Sequence, residues 1–356
     1  YDVFDENRYF ESADSWKVVP FKGKKLAITI CEDIWNLGDN PLYRICPMDH
    51  LMEQSPDIML NLSASPFDYT HDEDRKATIK ANVLKYKIPL FYCNAVGSQT
   101  EIVFDGGSYA FDKDANLCGA LPMFESDMQI FECNDDGSIS APILEPAARV
   151  PNKELNPSKL MPELNIDQVY KALVLGIKDY FNKMGFKKAI LGSSGGIDSA
   201  VTLAIAVEAL GKENVYAILM PSPYSTEHSV SDAVQLSKHL DTPYDIIPIK
   251  EVYESFLSTL KPIFKDLPFS LAEENIQSRS RGNILMAIAN KFGYVLLNTS
   301  NKIGAALSTP VNSGRPSPDA FPTQTPTTYR ELVPIAHASR LPKLVPVFHA
   351  IGKAES

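Results

Sequence analysis

The sequence predicts an α/β protein in two units: a layered, strand-led first unit and a second built on a doubly wound parallel sheet. Three observations carry this. Over residues 1–133, short apolar runs alternate with polar turns around one charged, helix-compatible stretch. Residues 134–165 then bring Pro142, Pro146, Pro151, Pro157 and Pro162 behind Asp135-Asp136-Gly137, a linker composition. Over residues 166–302, strand and helix patterns alternate without a break, which demands parallel strands joined by crossover helices.

In the first unit, Leu26–Ile30, Ile58–Leu62 and Leu90–Tyr92 are apolar runs of strand length, and Gln129–Phe131 is a shorter one. Asp72–Lys87 lies between two of them and reads as a helix. The second unit opens on Ile166, Val169, Tyr170, Leu173, Val174, Ile177, Tyr180 and Phe181, an i, i+3, i+4, i+7 stripe, with Gly185 placed as its C-terminal cap. Lys188–Leu191 is a buried strand, followed by a Gly/Ser turn and a helix over Ile197–Leu210. The series continues as strand Val215–Met220, helix His228–Leu240, strand Tyr244–Pro248, helix Glu251–Leu260, helix Leu271–Lys291 and strand Tyr294–Asn298. Residues 303–356 hold 8 of the 26 prolines and read as a divergent, proline-rich tail, with a regular pattern only at Leu344–Ile351.

Composition excludes several classes. At 356 residues, 44% apolar and 22% charged, the chain can fill two cores. No run approaches the roughly 20 apolar residues of a membrane-spanning helix. A net charge of −10 argues against a dedicated nucleic-acid surface. The five cysteines, Cys31, Cys46, Cys93, Cys118 and Cys133, are odd in number, widely spaced and form no CxxC, so neither a disulfide framework nor a zinc site is expected. A reducing cytoplasm is the expected location. Tyr1 is neither a start methionine nor the opening of a signal peptide, so a piece of a longer protein is expected.

The sharpest chemical feature is Leu191-Gly-Ser-Ser-Gly-Gly-Ile-Asp-Ser-Ala200, at a strand–helix junction. Gly195 and Gly196 let backbone approach an anion closely. Ser194 and Ser199 offer hydroxyls, and a helix starting at Ile197 aims N–H groups and its positive dipole end the same way. Asp198 would repel a bare phosphate and makes sense beside Mg²⁺. The bland alternative is a Gly/Ser turn capped by an aspartate. In Glu274-Asn-Ile-Gln-Ser-Arg-Ser-Arg-Gly282, Arg279 and Arg281 offer forks for phosphate or carboxylate. Glu274, Asn275 and Gln277 offer partners for ribose and amide groups; the alternative there is a solvated helix face. Cys31 follows a strand and precedes Glu32 and Asp33. By default such a cysteine is a small buried hydrophobe, and two adjacent acids would raise its pKa unless a cation stood nearby.

The loop resembles the pyrophosphate loop of the N-type ATP pyrophosphatases, which cleave ATP between the α and β phosphates and activate a carboxylate as an adenylate. Leu219-Met-Pro-Ser-Pro-Tyr-Ser-Thr-Glu-His-Ser229, the Glu274–Gly282 segment and Leu297-Asn-Thr-Ser-Asn-Lys302 are similar to the corresponding segments of NAD⁺ synthetases. This resemblance covers residues 166–302. It implies ATP on Ser194, Gly195, Gly196, Ile197, Asp198, Ser199 and Leu219, Mg²⁺ on Asp198, and deamido-NAD⁺ on Glu274, Asn275, Gln277, Arg279 and Arg281.

Tyr1-Asp-Val-Phe-Asp-Glu-Asn-Arg-Tyr-Phe10, Ile30-Cys-Glu-Asp-Ile-Trp35, Asn61-Leu-Ser-Ala-Ser-Pro66 and Val103-Phe-Asp-Gly-Gly-Ser108 resemble the glutaminase domain of glutamine-dependent NAD⁺ synthetases, a nitrilase-like amidase with a Glu–Lys–Cys triad. The resemblance implies Cys31 as nucleophile and Tyr1, Glu32 and Ser65 as glutamine contacts. It also implies the C-terminal part of a nitrilase-like αββα sandwich in residues 1–133, a linker over 134–165, and an incomplete ATP pyrophosphatase domain over 166–302. The family's lysine and glutamate fall before the position of Tyr1, and Lys22, Lys24 and Lys25 do not match the lysine. Where the family continues Asn-Lys with Ser-Glu, this chain has Ile303-Gly304, as a shift of reading frame would produce. The expected whole is a glutamine-dependent NAD⁺ synthetase, partial at both ends and impaired as a glutaminase. Its partners are glutamine, deamido-NAD⁺ and ATP, with no nucleic acid or membrane, and a homo-oligomer at full length. The alternatives are another ATP pyrophosphatase amidotransferase, of the GMP or asparagine synthetase kind, and a non-catalytic ATP-binding fragment.

Overall fold

The computed structural model describes residues 9–37, 45–68, 71–99, 102–140 and 166–299. They fall into two compact units divided between residues 153 and 154. Tyr1, Lys302, most of the 134–165 segment and the whole of 303–356, including Leu344–Ile351, lie outside the described residues.

The first unit is a six-stranded mixed sheet. Strands β1 (Val19–Phe21), β2 (Lys24–Ile30), β3 (Ile58–Ser63), β4 (Leu90–Asn94), β7 (Tyr109–Phe111) and β8 (Leu117–Ala120) lie in that order. The central pairs β2–β3 and β3–β4 are parallel, and the outer pairs are antiparallel. A separate hairpin joins β5 (Val96–Gln99) and β6 (Ile102–Asp105). Helices α1 (Pro47–Met52) and α2 (His71–Tyr86) cover one face. Their Met48, Leu51, Ile79 and Val83 pack on Ala27, Met59, Leu90 and Tyr92.

Side chains alternate across a strand, so the other face carries the intervening residues. There Ile30 is 66% and Leu62 51% exposed, beside exposed Ile28 and Cys93. Among the described residues the other sheet of this unit is the two-stranded β5–β6 hairpin.

Gln129–Phe131 is not a strand. Its side chains make the contact instead of its backbone. Phe131 packs against Phe91 and lies where any side chain on Gly119 would go, so the segment crosses the sheet by packing. Residues 134–140 form a turn attached to this unit. Asn134 N–H donates to Ser138 O, Lys113 N–H donates to Gly137 O, and Lys24 pairs with Asp135. The strands of the β5–β8 region were not legible as apolar runs, because they are three or four residues long.

The second unit is the parallel sheet its rhythm predicts. Strands β9 (Ala189–Gly192), β10 (Val215–Leu219), β11 (Tyr244–Ile246) and β12 (Val295–Leu296) are all parallel, in the order β11-β10-β9-β12. Helices α3 (Ile166–Met184), α4 (Ile197–Leu210), α5 (Glu227–Leu240), α6 (Lys250–Phe264) and α7 (Leu271–Phe292) complete it. The period-2 pattern divides its two cores. Leu191, Ala217 and Leu219 face Leu203, Ala204 and Leu236 of α4 and α5, whereas Ile190, Ile218 and Met220 face Ala289 of α7 and Ile249.

Helix ends fall where the sequence chemistry places them. Gly185 follows α3 at φ +72°, and Thr226 caps α5 by accepting from Ser229 N–H at 3.2 Å. Ser270 and Glu273 form a capping box on α7. The chain leaves β9 toward β10 and later returns to β9's other side as β12. That change of direction opens a crevice at the carboxyl end of β9.

Candidate functional site

The Gly/Ser loop occupies this crevice. Ser193 N–H donates to Ile218 O at 2.9 Å, which ties the loop to β10. Gly195 has φ +83°, and a Cβ there would lie 2.1 Å from Ser229 O. Glycine is therefore required twice, by the backbone angle and by the contact with the first turn of α5.

The serines brace the loop. Ser199 Oγ donates to Gly196 O at 2.9 Å and accepts from Ser194 N–H at 3.2 Å, and Gly196 N–H donates to Ser194 Oγ at 3.2 Å. Ser199 is buried, so its hydroxyl holds the turn, whereas Ser194, Gly196 and Asp198 are exposed. The first turn of α4, which begins at Ile197, directs its N–H groups toward this mouth. The structure thus brings the Ser194–Ser199 residues together at one helix N-terminus. Leu219 ends β10 with its side chain in the core and its carbonyl accepting from Ile247 N–H at 2.8 Å.

Helix α7 divides the other predicted residues. Arg281 is half-buried and its Nε donates to Met220 O at 3.0 Å. Burial pulls the Arg281 pKa down. Arg279, two residues away and so about 160° round the helix, is exposed. Gln277 is half-buried and Glu274 exposed. Tyr224, Tyr253 and Phe269 form an aromatic cluster near this end of α7, with ring centroids 6.0 and 6.4 Å from that of Tyr224.

In the first unit, Cys31 follows the end of β2 and opens a 3-10 turn over Cys31–Ile34. Its φ is +48°, a left-handed angle that costs a non-glycine residue about 1–2 kcal/mol. Neighbouring side chains hold it there. Buried Asn61 donates through Nδ2 to Thr29 Oγ1 at 3.0 Å and to Cys31 O at 3.3 Å, and accepts from Ser63 Oγ at 2.7 Å. Asp33 accepts from Ile30 N–H at 2.8 Å, and Asn82 donates to Ile34 O at 2.7 Å. Glu32 is exposed on the turn, and Trp35 stacks on His71 at 4.9 Å.

Ser65 follows β3 and is buried, its N–H donating to Asn94 Oδ1 at 2.9 Å. Cys31, Ser65 and Asn94 thus stand at the carboxyl ends of adjacent parallel strands. Lys24 and Lys25 begin β2, a seven-residue strand, with Nζ atoms on Asp135 and Gln54 O, on the order of 20 Å along the strand from Cys31.

Behind Ser65 lies a group the sequence reading missed. Asn94 Nδ2 donates to Asp105 Oδ1 at 2.9 Å and Gly106 O at 2.7 Å. Arg75 grips both oxygens of Asp105 at 2.9 and 3.0 Å, and Tyr109 OH donates to Asp72 at 2.5 Å. Arg75 and Asp105 are both fully buried. Burial opposes the guanidinium charge, and Asp105 more than offsets it, holding the Arg75 pKa above its usual value. Burial pushes the Tyr92 phenol up, while Ser63, Arg75 and Ser65 pull it back. In sequence, Asp72 and Arg75 look like ordinary solvated charges of α2. The available signal was their spacing on the face that also bears Ile79 and Val83.

The NAD synthase family profile matches residues 169–309, from the first helix of the second unit to seven residues past the expected domain end at 302. The chain is 44% identical to the glutamine-dependent NAD(+) synthetase of Synechocystis over 307 residues, 85% of this chain and 52% of that protein. It is 37% identical to the synthetase of the same name from Thermotoga maritima over 320 residues, 85% and 54% of the two chains. A glutamine-dependent NAD+ synthetase of Acinetobacter baumannii, solved in complex with ADP, superposes with a TM-score of 0.75 at 34% identity, covering 86% of this chain and 54% of its own. The synthetase from Cytophaga hutchinsonii, 16% identical, shares the fold with a TM-score of 0.62 over 83% and 54% of the two chains. The chain spans about half the length of the curated relatives it matches. In sequence and fold alike, the chain is similar to the glutamine-dependent NAD(+) synthetases over the half of their length that it spans.

Proposed function

We propose that the chain carries the chemistry of glutamine-dependent NAD⁺ synthesis: ATP-dependent amidation of deamido-NAD⁺ with ammonia taken from glutamine. The observation that carries this reading is the Ser194–Ser199 loop, closed on Ser229 at the crevice beside β9. N–H groups at the start of α4 would receive phosphate oxygens of ATP. Mg²⁺ keeps several waters and takes few protein carboxylates, and the exposed Asp198 supplies one oxygen ligand of that kind. Bound there, the ion would neutralise phosphate charge. Glu274, Asn275, Gln277 and Arg279 are read as the deamido-NAD⁺ side.

Cys31 is the proposed nucleophile. Its sulfur attacks the glutamine carboxamide, ammonia leaves, and water releases glutamate from the thioester. Glu32, Ser65 and Tyr1 are read as glutamine contacts. The triad's lysine and glutamate match no residue from Tyr1 onward. Residues 1–133 are the proposed glutaminase part and 166–302 the synthetase part. The proposed setting is the cytoplasm, with small-molecule partners and self-association at full length. No described helix is long and apolar enough to cross a membrane.

The full chain, supplied with ATP, Mg²⁺ and ammonium chloride, tests this. AMP release that depends on deamido-NAD⁺, and not on xanthosine monophosphate or aspartate, is the expected result. Dependence on either of the latter overturns the substrate assignment. ATP binding without AMP release would leave the chain a nucleotide-binding module. Robust glutamine hydrolysis would overturn the requirement for the two unmatched triad members.

A further inference from the structure

Arg281 lies one helical turn before Leu285, on the same stripe of α7. Two contacts fix that stripe over the sheet. A Cβ on Gly192, at the end of β9, would lie 3.2 Å from Leu285 Cδ1 and 3.1 Å from Met220 Cε. Arg281 Nε donates to Met220 O. Helix α7 leads back into β12, which runs parallel to β9, so its N-terminal part lies toward the carboxyl edge of the sheet. With Leu285 level with Gly192, Arg281 stands one turn further out, where the chain leaves β9 for Ser193 and Gly195.

The rest of its guanidinium has no carboxylate partner among the described residues. A half-buried cation without a counter-charge costs stability unless an anion completes it. Arg279 faces the other way and is exposed.

We propose that Arg281 is the arginine that reads a pyrophosphate group in the Gly192–Gly196 crevice. It would grip phosphate oxygens opposite the N-terminus of α4, with Met220 O fixing its fork. The inference rests on the nucleotide reading of the loop. The resemblance places Arg281 with deamido-NAD⁺; the inference assigns it to a pyrophosphate group in the loop's crevice. ATP and deamido-NAD⁺ both carry a pyrophosphate, and the test separates them.

Calorimetry on the full chain would use inorganic pyrophosphate, ATP and deamido-NAD⁺ as separate probes, each with Arg281→Gln and with Lys188→Gln, an exposed cation at the opposite edge of the sheet. Arg281→Gln is expected to weaken pyrophosphate and ATP by about 10-fold or more, the loss of one charge-assisted contact. Lys188→Gln is expected to stay within about 2-fold, the size of an ordinary surface change.

Because Arg281→Gln also changes the Met220 contact, the unaltered chain gives a second readout. Pyrophosphate should protect Arg281 from a dicarbonyl reagent, as mapped by mass spectrometry. Equal binding by the variant, no protection, no pyrophosphate binding by the unaltered chain, or a loss confined to deamido-NAD⁺ would each overturn the inference. Arg281-dependent pyrophosphate binding without AMP release in any mixture would uphold it while the proposed activity fell.

Discussion

Two turns in this molecule hold a residue at positive φ beside candidate chemistry, and they do so differently. Gly195 sits at +83° with Ser229 O where a side chain would be, and Cys31 sits at +48° with its carbonyl on Asn61. In the first, the backbone angle and the Ser229 contact leave no room for a side chain, and the proposed working surface is backbone. In the second, the side chain is the proposed nucleophile, and the strain is borne by Asn61, Asp33 and the paired ends of β2 and β3. A close backbone approach is written as glycine. A thiol held in an unfavourable turn needs a supporting network elsewhere in the chain.

The largest expected effect tests how far that network reaches. Arg75→Met removes the guanidinium from a fully buried bidentate pair and strands Asp105. The first unit should lose about 3–5 kcal/mol, and Arg75→Met with Asp105→Asn should recover part of it. Denaturant unfolding followed by tryptophan fluorescence reports on this unit alone, because Trp16 and Trp35 are the only tryptophans in the chain. A loss under about 1 kcal/mol, the surface-pair range, would show that the pair is not structural.

The two turns can then be compared directly. Gly195→Ala meets both the positive φ and the Ser229 carbonyl, and should cost the second unit about 3 kcal/mol. Cys31→Gly should instead stabilise the first unit by up to about 1 kcal/mol, the left-handed penalty less the extra chain entropy of glycine. Cys31→Ala should leave it unchanged. Far-UV thermal melts read the first substitution and tryptophan fluorescence the others. A stabilising Gly195→Ala or a destabilising Cys31→Gly would invert the contrast.

The smallest effect is in pH. Burial, and then the nearby Arg75 charge, lower the His71 pKa below its usual value where the ring stacks on Trp35. The unfolded chain therefore binds the proton more tightly than the folded one. Stability from this group is present above roughly pH 6.5 and falls as pH drops through the lower folded value. Urea midpoints at pH 7 and pH 5 should differ in that direction, and His71→Gln should shrink the difference.

Much of the second unit was legible. The Ile197–Leu210 helix has the bounds its pattern predicts, and every expected strand is present within one or two residues at most ends. Local period and turn chemistry are strong where strands are buried on both faces and helices are long. The first unit was harder. Its outer strands are short, Gln129–Phe131 has strand composition but packs through side chains, and the charged face of α2 conceals a buried ion pair.

By itself, the sequence determined the α/β alternation, the glycines of the Gly/Ser loop and the place of Cys31 at a strand end. Those features follow from local periodicity and from backbone angles that few residues can adopt. Tertiary structure decided which chemically equal side chains do which work. Ser199 turned inward as a brace while Ser194 stayed exposed, and Arg281 rather than Arg279 came to bond the end of β10 at Met220 O. It also made Arg75 a buried partner of Asp105 rather than a surface charge. A pattern fixes spacing along an element, but its rotation against the rest of the molecule is set by long-range packing, such as Leu285 on Gly192.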